Sequence, residues 1–277
     1  MADDKSYYDY TPSVAAAAIF IIIFLILVVI HILRLIKTRT WFCIPFIIGG
    51  LFEVFGYVGR ALGKSKPSTL GPYIMQALLI LLAPILFAAS IYMFLGRIIR
   101  AAGTTSYSIV RPTWLTKIFV GGDILCFLVQ AAGGGILSGA DTKKSQDLGK
   151  GVILAGLCLQ MVIFAFFLVV AAIWHIRMNK NGNKAGDQRF DWSKFLKMLY
   201  IVSIIITIRN LFRVIEYAMG EEGYLLANEW PIYVFDAALM AIVLSICCFW
   251  YVGDVTKQFS HEDSDRYEMM TDPRLPR

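Results

Sequence analysis

Charge is scarce in this sequence. Only 17% of its 277 residues are Asp, Glu, Lys or Arg, where soluble domains carry about a quarter. Cysteine is sparse too: the five residues Cys43, Cys126, Cys158, Cys247 and Cys248 all fall inside apolar blocks, so connecting loops hold no disulfide framework. There is no Asn-x-Ser/Thr sequon. No positive n-region precedes the first apolar block, which begins at Val14 behind Asp3, Asp4 and Asp9, so this block is expected to be a retained span and not a cleaved signal peptide. The apolar share is 58%, and it is gathered into long blocks. A soluble enzyme, a disordered chain and a disulfide-stapled secreted module are thereby excluded.

A helix needs about 20 apolar residues to cross the hydrocarbon core, and lipid-facing backbone must satisfy its own hydrogen bonds. Seven segments qualify: Val14–Ile36, Trp41–Leu62, Tyr73–Ile99, Trp114–Leu137, Val152–Arg177, Phe195–Ala218 and Trp230–Val252. The expected fold is all-α, a polytopic seven-transmembrane helix bundle. It follows a short N-terminal segment, 1–13, and precedes a disordered tail, 253–277. Tyr10, Trp41, Tyr73, Trp114, Trp174, Trp192, Trp230 and Tyr251 sit at span ends as interfacial anchors. Pro84 lies within the third span and predicts a kink. The polar Gly/Asn-rich loop Asn179–Asp191 is expected to be mobile.

The net charge of +6 does not point to nucleic acid, because the basic residues flank the apolar blocks and read as topology signals. With the N-terminus outside, 17 Lys and Arg fall on the cytoplasmic side and seven on the outer side. That asymmetry favours an extracellular N-terminus and a cytoplasmic C-terminus. The loop Glu221–Glu229, with three acids and no base, suits the outer side.

Charged groups inside the spans need an account, since each costs at least about 3 kcal/mol in hydrocarbon and survives by pairing or by lining water. They are Glu53, Arg60, Asp123, Arg209, Arg213, Glu216 and Asp236, joined by the amides Gln76, Gln130 and Gln160. Arg60 shares a helix face with Glu53, and Arg209, Arg213 and Glu216 follow an i, i+4, i+7 pattern. At about 1.5 Å per residue most of these groups lie in the outer half, and only Asp123 falls clearly inward. A shared polar chamber open to, or just below, the outer leaflet is the expectation. Its alternative is a set of clamps such as Glu53–Arg213 or Asp236–Arg209. Two arginines one turn apart demand an anion, either a ligand phosphate or carboxylate or the pair Glu53 and Asp236.

Other chemistries find no support. Gly59-Arg-Ala-Leu-Gly63-Lys64-Ser65 is one residue short of a phosphate loop and follows no strand. The three histidines, His31, His175 and His261, cannot build a three-histidine zinc site in the membrane. The last span holds no lysine for a retinal Schiff base, and no Ser-His-Asp or Cys-His arrangement stands out. The expectation is no enzyme and no cofactor.

The same polar positions carry a family resemblance. Phe52-Glu53-x-x-Gly56-Tyr57-x-x-Arg60 in the second span is joined by Gly71-Pro-Tyr73-x-x-Gln76 and Leu82-Ala-Pro84 in the third. Gly122-Asp123-x-x-Cys126-Phe-x-x-Gln130 marks the fourth, and Arg209-x-x-Phe212-Arg213-x-x-Glu216-Tyr217 the sixth. Glu229-x-x-x-Tyr233-x-Phe235-Asp236 opens the seventh. This set, spread over roughly Tyr10 to Phe249, resembles the fungal lipid-translocating exporter family, the resistance-to-aminocholesterol-like proteins. One departure is Phe249-Trp250-Tyr251-Val252-Gly253 where many members carry a His-Pro-Gly turn.

The resemblance implies a seven-span protein of the plasma membrane or another cell membrane. It would move or confer tolerance to amphiphiles such as sphingoid bases, aminosterols, porphyrins and antifungal drugs, as part of stress response and drug resistance. Its partners would be an amphiphilic lipid or small-molecule substrate and the membrane lipids. The candidate substrate-binding residues are Glu53, Tyr57, Arg60, Gln76, Asp123, Gln130, Arg209, Arg213, Glu216 and Asp236. Glu53 and Asp236 would receive an ammonium head group, and the arginines would hold carboxylates or a phosphate. A lipid receptor or stress sensor without transport activity is the alternative reading. Oligomeric state, energy source and direction stay open.

Overall fold

The computed structural model describes residues 13–65, 69–140, 142–181, 192–219 and 228–248. The expected N-terminal segment (but for Ser13), the C-terminal tail, most of the loops 179–191 and 221–229 and the last turn of the seventh span lie outside them. Within the described residues every regular element is helical. The long helices are α1 (Val14–Thr38), α2 (Ile44–Ser65), α3 (Leu70–Ala101), α4 (Pro112–Ser138), α5 (Lys143–Asn181) and α6 (Trp192–Met219). Each is long and apolar enough to cross a membrane, and a shorter apolar helix, α7 (Trp230–Ile246), follows.

Local chemistry sets several ends. The Ser13 side chain accepts from the Ala16 N–H and caps α1, while Arg39 takes a left-handed conformation (φ 54°) and closes it. Pro112 occupies the first turn of α4, where its missing N–H costs nothing. α5 has 39 residues, so it spans about 58 Å and overshoots a hydrocarbon core of about 30 Å. The segment from Lys143, expected to be loop, is the first turns of this helix.

The helices form a ring in chain order, each packed on the next, with α7 returning to α1 and α3 also touching α6 across the middle. α3 is the most enclosed helix and α4 the least. Glycine permits the closest approach in two places. A Cβ at Gly59 of α2 would lie 3.0 Å from the Pro72 carbonyl oxygen of α3, and one at Gly133 of α4 would lie 2.9 Å from the Gly149 carbonyl of α5. Large apolar residues such as Ile19, Ile22, Leu33 and Ile36 stay on the outside of the ring. Lipid solvates them as well as a core would, so in this protein polarity and small size, more than hydrophobicity, mark the inward face.

Candidate functional site

The sixth and seventh helices contribute most of the buried charge. Asp236 is completely enclosed and bridges both arginines of α6. Its Oδ1 accepts from Arg209 Nε at 2.6 Å and its Oδ2 accepts from Arg213 Nη2. Arg213 Nη1 also donates to Glu216 Oε2, one turn along, at 2.9 Å. Asp236 lies within a π-helical stretch, Tyr233–Ala238, whose wider turn displaces it from a regular α register; such stretches recur at functional sites.

Arg209 also repairs a backbone defect. An α-helical Ile80 carbonyl would accept from residue 84, but Pro84 has no N–H to give. Arg209 Nη2 donates to that oxygen at 3.1 Å, and Arg209 Nη1 reaches Asn210 Oδ1 at 3.4 Å. The predicted kink residue therefore exposes an acceptor that the neighbouring helix satisfies, as the membrane interior requires.

Glu53, on α2, is different. It is wholly buried, within electrostatic reach of Asp236, Arg209 and Arg213, yet among the described residues neither carboxylate oxygen has a hydrogen-bond partner. The alternative Glu53–Arg213 clamp is not formed as a hydrogen bond: Asp236 and Glu216 take the two Nη atoms of Arg213, and its Nε has no hydrogen-bond partner among the described residues. One turn from Glu53, Tyr57 is buried with its hydroxyl also unpartnered. The Tyr57 ring stacks on Phe24 (5.9 Å, 9°) and on Tyr233 (5.9 Å, 26°), and Tyr233 stacks on Phe20 (5.5 Å, 8°). An unpaired carboxylate beside a wall of aromatic faces is a chemistry suited to an ammonium group.

Arg60 closes the end of this wall. Its guanidinium lies 5.2 Å from the Tyr233 ring centroid, its Nε donates to the Tyr233 hydroxyl at 3.0 Å, and its Nη2 pairs with Glu229 at 3.0 Å. Glu229 further accepts the Ser13 backbone N–H at 2.8 Å and the Tyr233 hydroxyl at 3.1 Å. The start of α1, the end of α2 and the start of α7 are thus tied at one carboxylate. Sequence reasoning left Glu229 and Tyr233 out of the site. Their four-residue spacing at a helix start was the available signal.

Two of the remaining candidates, Gln130 and Asp123, separate from this cluster, while Gln76 stays beside its Arg60 end. Gln76 is buried on α3, its backbone N 3.1 Å from where a Gly59 Cβ would stand. Gln130 donates to Gln160 at 2.9 Å between α4 and α5. Asp123 accepts from Tyr92 at 2.8 Å, and Tyr92 is 12 residues, roughly 18 Å, along α3 from Ile80. The single chamber expected from the sequence is therefore one main cluster, made of Glu53, Tyr57, Arg60, Arg209, Arg213, Glu216 and Asp236, plus two outlying polar contacts.

Multiple long apolar helices packed around buried charge define a multi-pass membrane protein. The RTA1 like protein family matches residues 46–258, and the chain belongs to that family. It is 34% identical to Protoporphyrin uptake protein 1 of Saccharomyces cerevisiae, over 86% of this chain and 89% of that one. It is 34% identical to Protein RTM1 of Saccharomyces cerevisiae, over 75% and 67% respectively. To Sphingoid long-chain base transporter RSB1 of the same yeast it is 28% identical, over 91% and 75%.

Proposed function

We propose that this protein is a seven-helix translocator of amphiphilic lipids, of the sphingoid long-chain base type, and not an enzyme. The observation that carries the reading is Glu53, a fully enclosed carboxyl group with no hydrogen-bond partner among the described residues, within electrostatic reach of the Asp236–Arg209–Arg213 network and one helical turn from Tyr57. A carboxylate that only clamped helices would be paired, as Asp236 is. In this reading Glu53 receives the substrate's ammonium, Tyr57 faces it, and the arginines hold Asp236 in place and add a counter-charge for substrates with carboxylate or phosphate groups. Of the two acids first considered for the ammonium, Asp236 is already committed to both arginines, so Glu53 takes the role alone. Gln76 stays beside the Arg60 end of the site, and Gln130 serves elsewhere along the path.

The relatives' names support transport of lipid-like molecules at family level. In our reading the face bearing Ser13, Arg60 and Glu229 is extracellular, the C-terminus cytoplasmic, the location the plasma membrane, and the consequence tolerance of toxic lipids or drugs. Glu53 is sealed in this conformation, and in our reading α1 and α7 part at the Glu229 contact to admit the substrate. The test is flux of a radiolabelled sphingoid long-chain base by purified protein in phosphatidylcholine liposomes, with no cytosolic partner present. Protein-dependent flux is expected. Saturable binding without flux would instead establish a receptor.

A further inference from the structure

The second buried acid, Asp123, lies apart from the cluster. Gly49 of α2 faces Ala83 and Phe87 of α3, and Gly56 faces Ile80, so Glu53 stands level with about Ala83. Tyr92, which holds Asp123, is nine residues further along α3, roughly 13 Å deeper. Asp123 is 1% exposed. Its Oδ2 accepts from the Tyr92 hydroxyl at 2.8 Å, and its Oδ1 has no partner.

The groups that act on Asp123 carry no charge, and aromatic rings surround its partner Tyr92. From α3 the titratable group facing Asp123 is Tyr92, and on its own helix it is the Cys126 thiol. α5 contributes Phe164 and Phe167, whose ring centroids lie 6.2 and 4.6 Å from that of Tyr92, and Phe119 of α4 lies at 5.3 Å. No lysine, arginine or histidine acts on Asp123 among the described residues. This is unlike Asp236, whose charge two guanidinium groups answer. An ionised Asp123 carries the full cost of desolvation with only one neutral hydrogen bond to offset it, and binding one proton at Oδ1 removes that cost. Nor does the site suit a metal ion, which wants about six oxygens. The described residues bring no group of three or more His, Cys, Asp or Glu together here.

We propose that Asp123 is a reversible proton-binding site, fixed by Tyr92, whose loading and release couple lipid movement to the proton gradient. The inference rests on the transport reading for its coupling half only; proton binding at Asp123 stands apart from it. Intramembrane acids that lack a cation are the usual proton carriers of pumps and exchangers. The bond pattern leaves one oxygen anchored and the other open for a single proton to arrive and leave.

Two measurements test this. The first is pH-difference infrared spectroscopy of the purified protein in phosphatidylcholine bilayers. A carboxylic-acid carbonyl band that titrates with pH is expected in the wild type and in Glu53→Gln, and is expected to be lost in Asp123→Asn, which keeps the shape and can still accept from Tyr92. Persistence of the whole titrating band in Asp123→Asn overturns the proton site, whether or not the protein transports. The second is uptake of a radiolabelled sphingoid long-chain base into proteoliposomes under an imposed pH gradient, after subtraction of the passive redistribution seen in protein-free vesicles. A several-fold stimulation by the gradient is expected in the wild type and in Asp123→Glu, and no stimulation in Asp123→Asn. A wild type that transports without responding to the gradient, or an Asp123→Asn protein that still responds, overturns the coupling. A wild type that moves nothing refutes the transport reading instead, and the infrared band still decides the proton site.

Discussion

Replacing Glu53 and Asp236, one at a time, by their amides should separate a binding group from a structural one. Asp236 spans two guanidinium groups one turn apart, and all three side chains are less than a tenth exposed. Asp236→Asn removes the charge that both arginines answer and leaves them repelling in a low dielectric, with only Glu216 bonded to them and Glu53 within reach. Breaking such a buried pair costs about 3–5 kcal/mol. At about 2–4 °C per kcal/mol for a chain of this size, the melting temperature in detergent should fall by roughly 6–20 °C. Glu53 gives up no hydrogen bond, because it makes none. Glu53→Gln conserves shape, so the expected change in stability is within about 1 kcal/mol of wild type, of either sign. Scanning fluorimetry on the two purified variants, beside release of a labelled sphingoid base from loaded cells at matched surface expression, gives the comparison. The expected result is a stable Glu53→Gln protein that no longer releases the base, and an unstable Asp236→Asn protein. A Glu53→Gln protein as unstable as Asp236→Asn would show Glu53 to be a clamp; a stable one with normal release would remove it from the site.

Other consequences of the geometry can be checked singly. Pro84→Ala returns an N–H to the Ile80 carbonyl and makes the Arg209 contact redundant. Stability should hold or rise by up to about 1 kcal/mol in thermal melts while transport falls, because Arg209 then loses its second anchor. Tyr57→Phe deletes a hydroxyl without a partner and keeps the ring stack, so melting should be unchanged to about 1 kcal/mol; a larger loss would reveal a hydrogen bond in the resting protein. Gly133→Val forces a side chain against Ile153 and the Gly149 carbonyl, and overpacking of that kind should cost about 1–3 kcal/mol and lower the yield of folded protein on size exclusion.

Much of this was legible in the sequence because hydrocarbon penalises charge so heavily. Depth followed from counting residues along spans, and the groups that burial cost singled out do come together on α2, α6 and α7. The Asp236–Arg209 clamp was among the pairs anticipated. What pairing alone could not show was which acid would satisfy both arginines, since that depends on the rotation of α7, and the π-helical stretch that sets it has no signature in composition. Glu229 read as a solvent-facing loop acid because its neighbours in sequence are polar or interfacial. Its partners, Ser13 and Arg60, are 216 and 169 residues away. Asp123 was placed inward by arithmetic, but its lack of a cationic neighbour among the described residues rests on which faces of α3, α4 and α5 meet. The length of α5 escaped notice because hydropathy reports where a helix is greasy and says nothing about where it stops being helical.

The wide turn in the last helix has a genetic side. A π turn amounts to one residue inserted into an otherwise regular helix, so it can be undone by losing one. Excising a single codon between Tyr233 and Ala238 would let the helix relax to its ordinary pitch and swing everything beyond the cut by about 100°. The carboxylate of Asp236 and the contacts of Met240 and Leu244 could no longer both face inward. Variants should therefore tolerate exchanges at the exposed Val234 but almost no change in the length of this stretch.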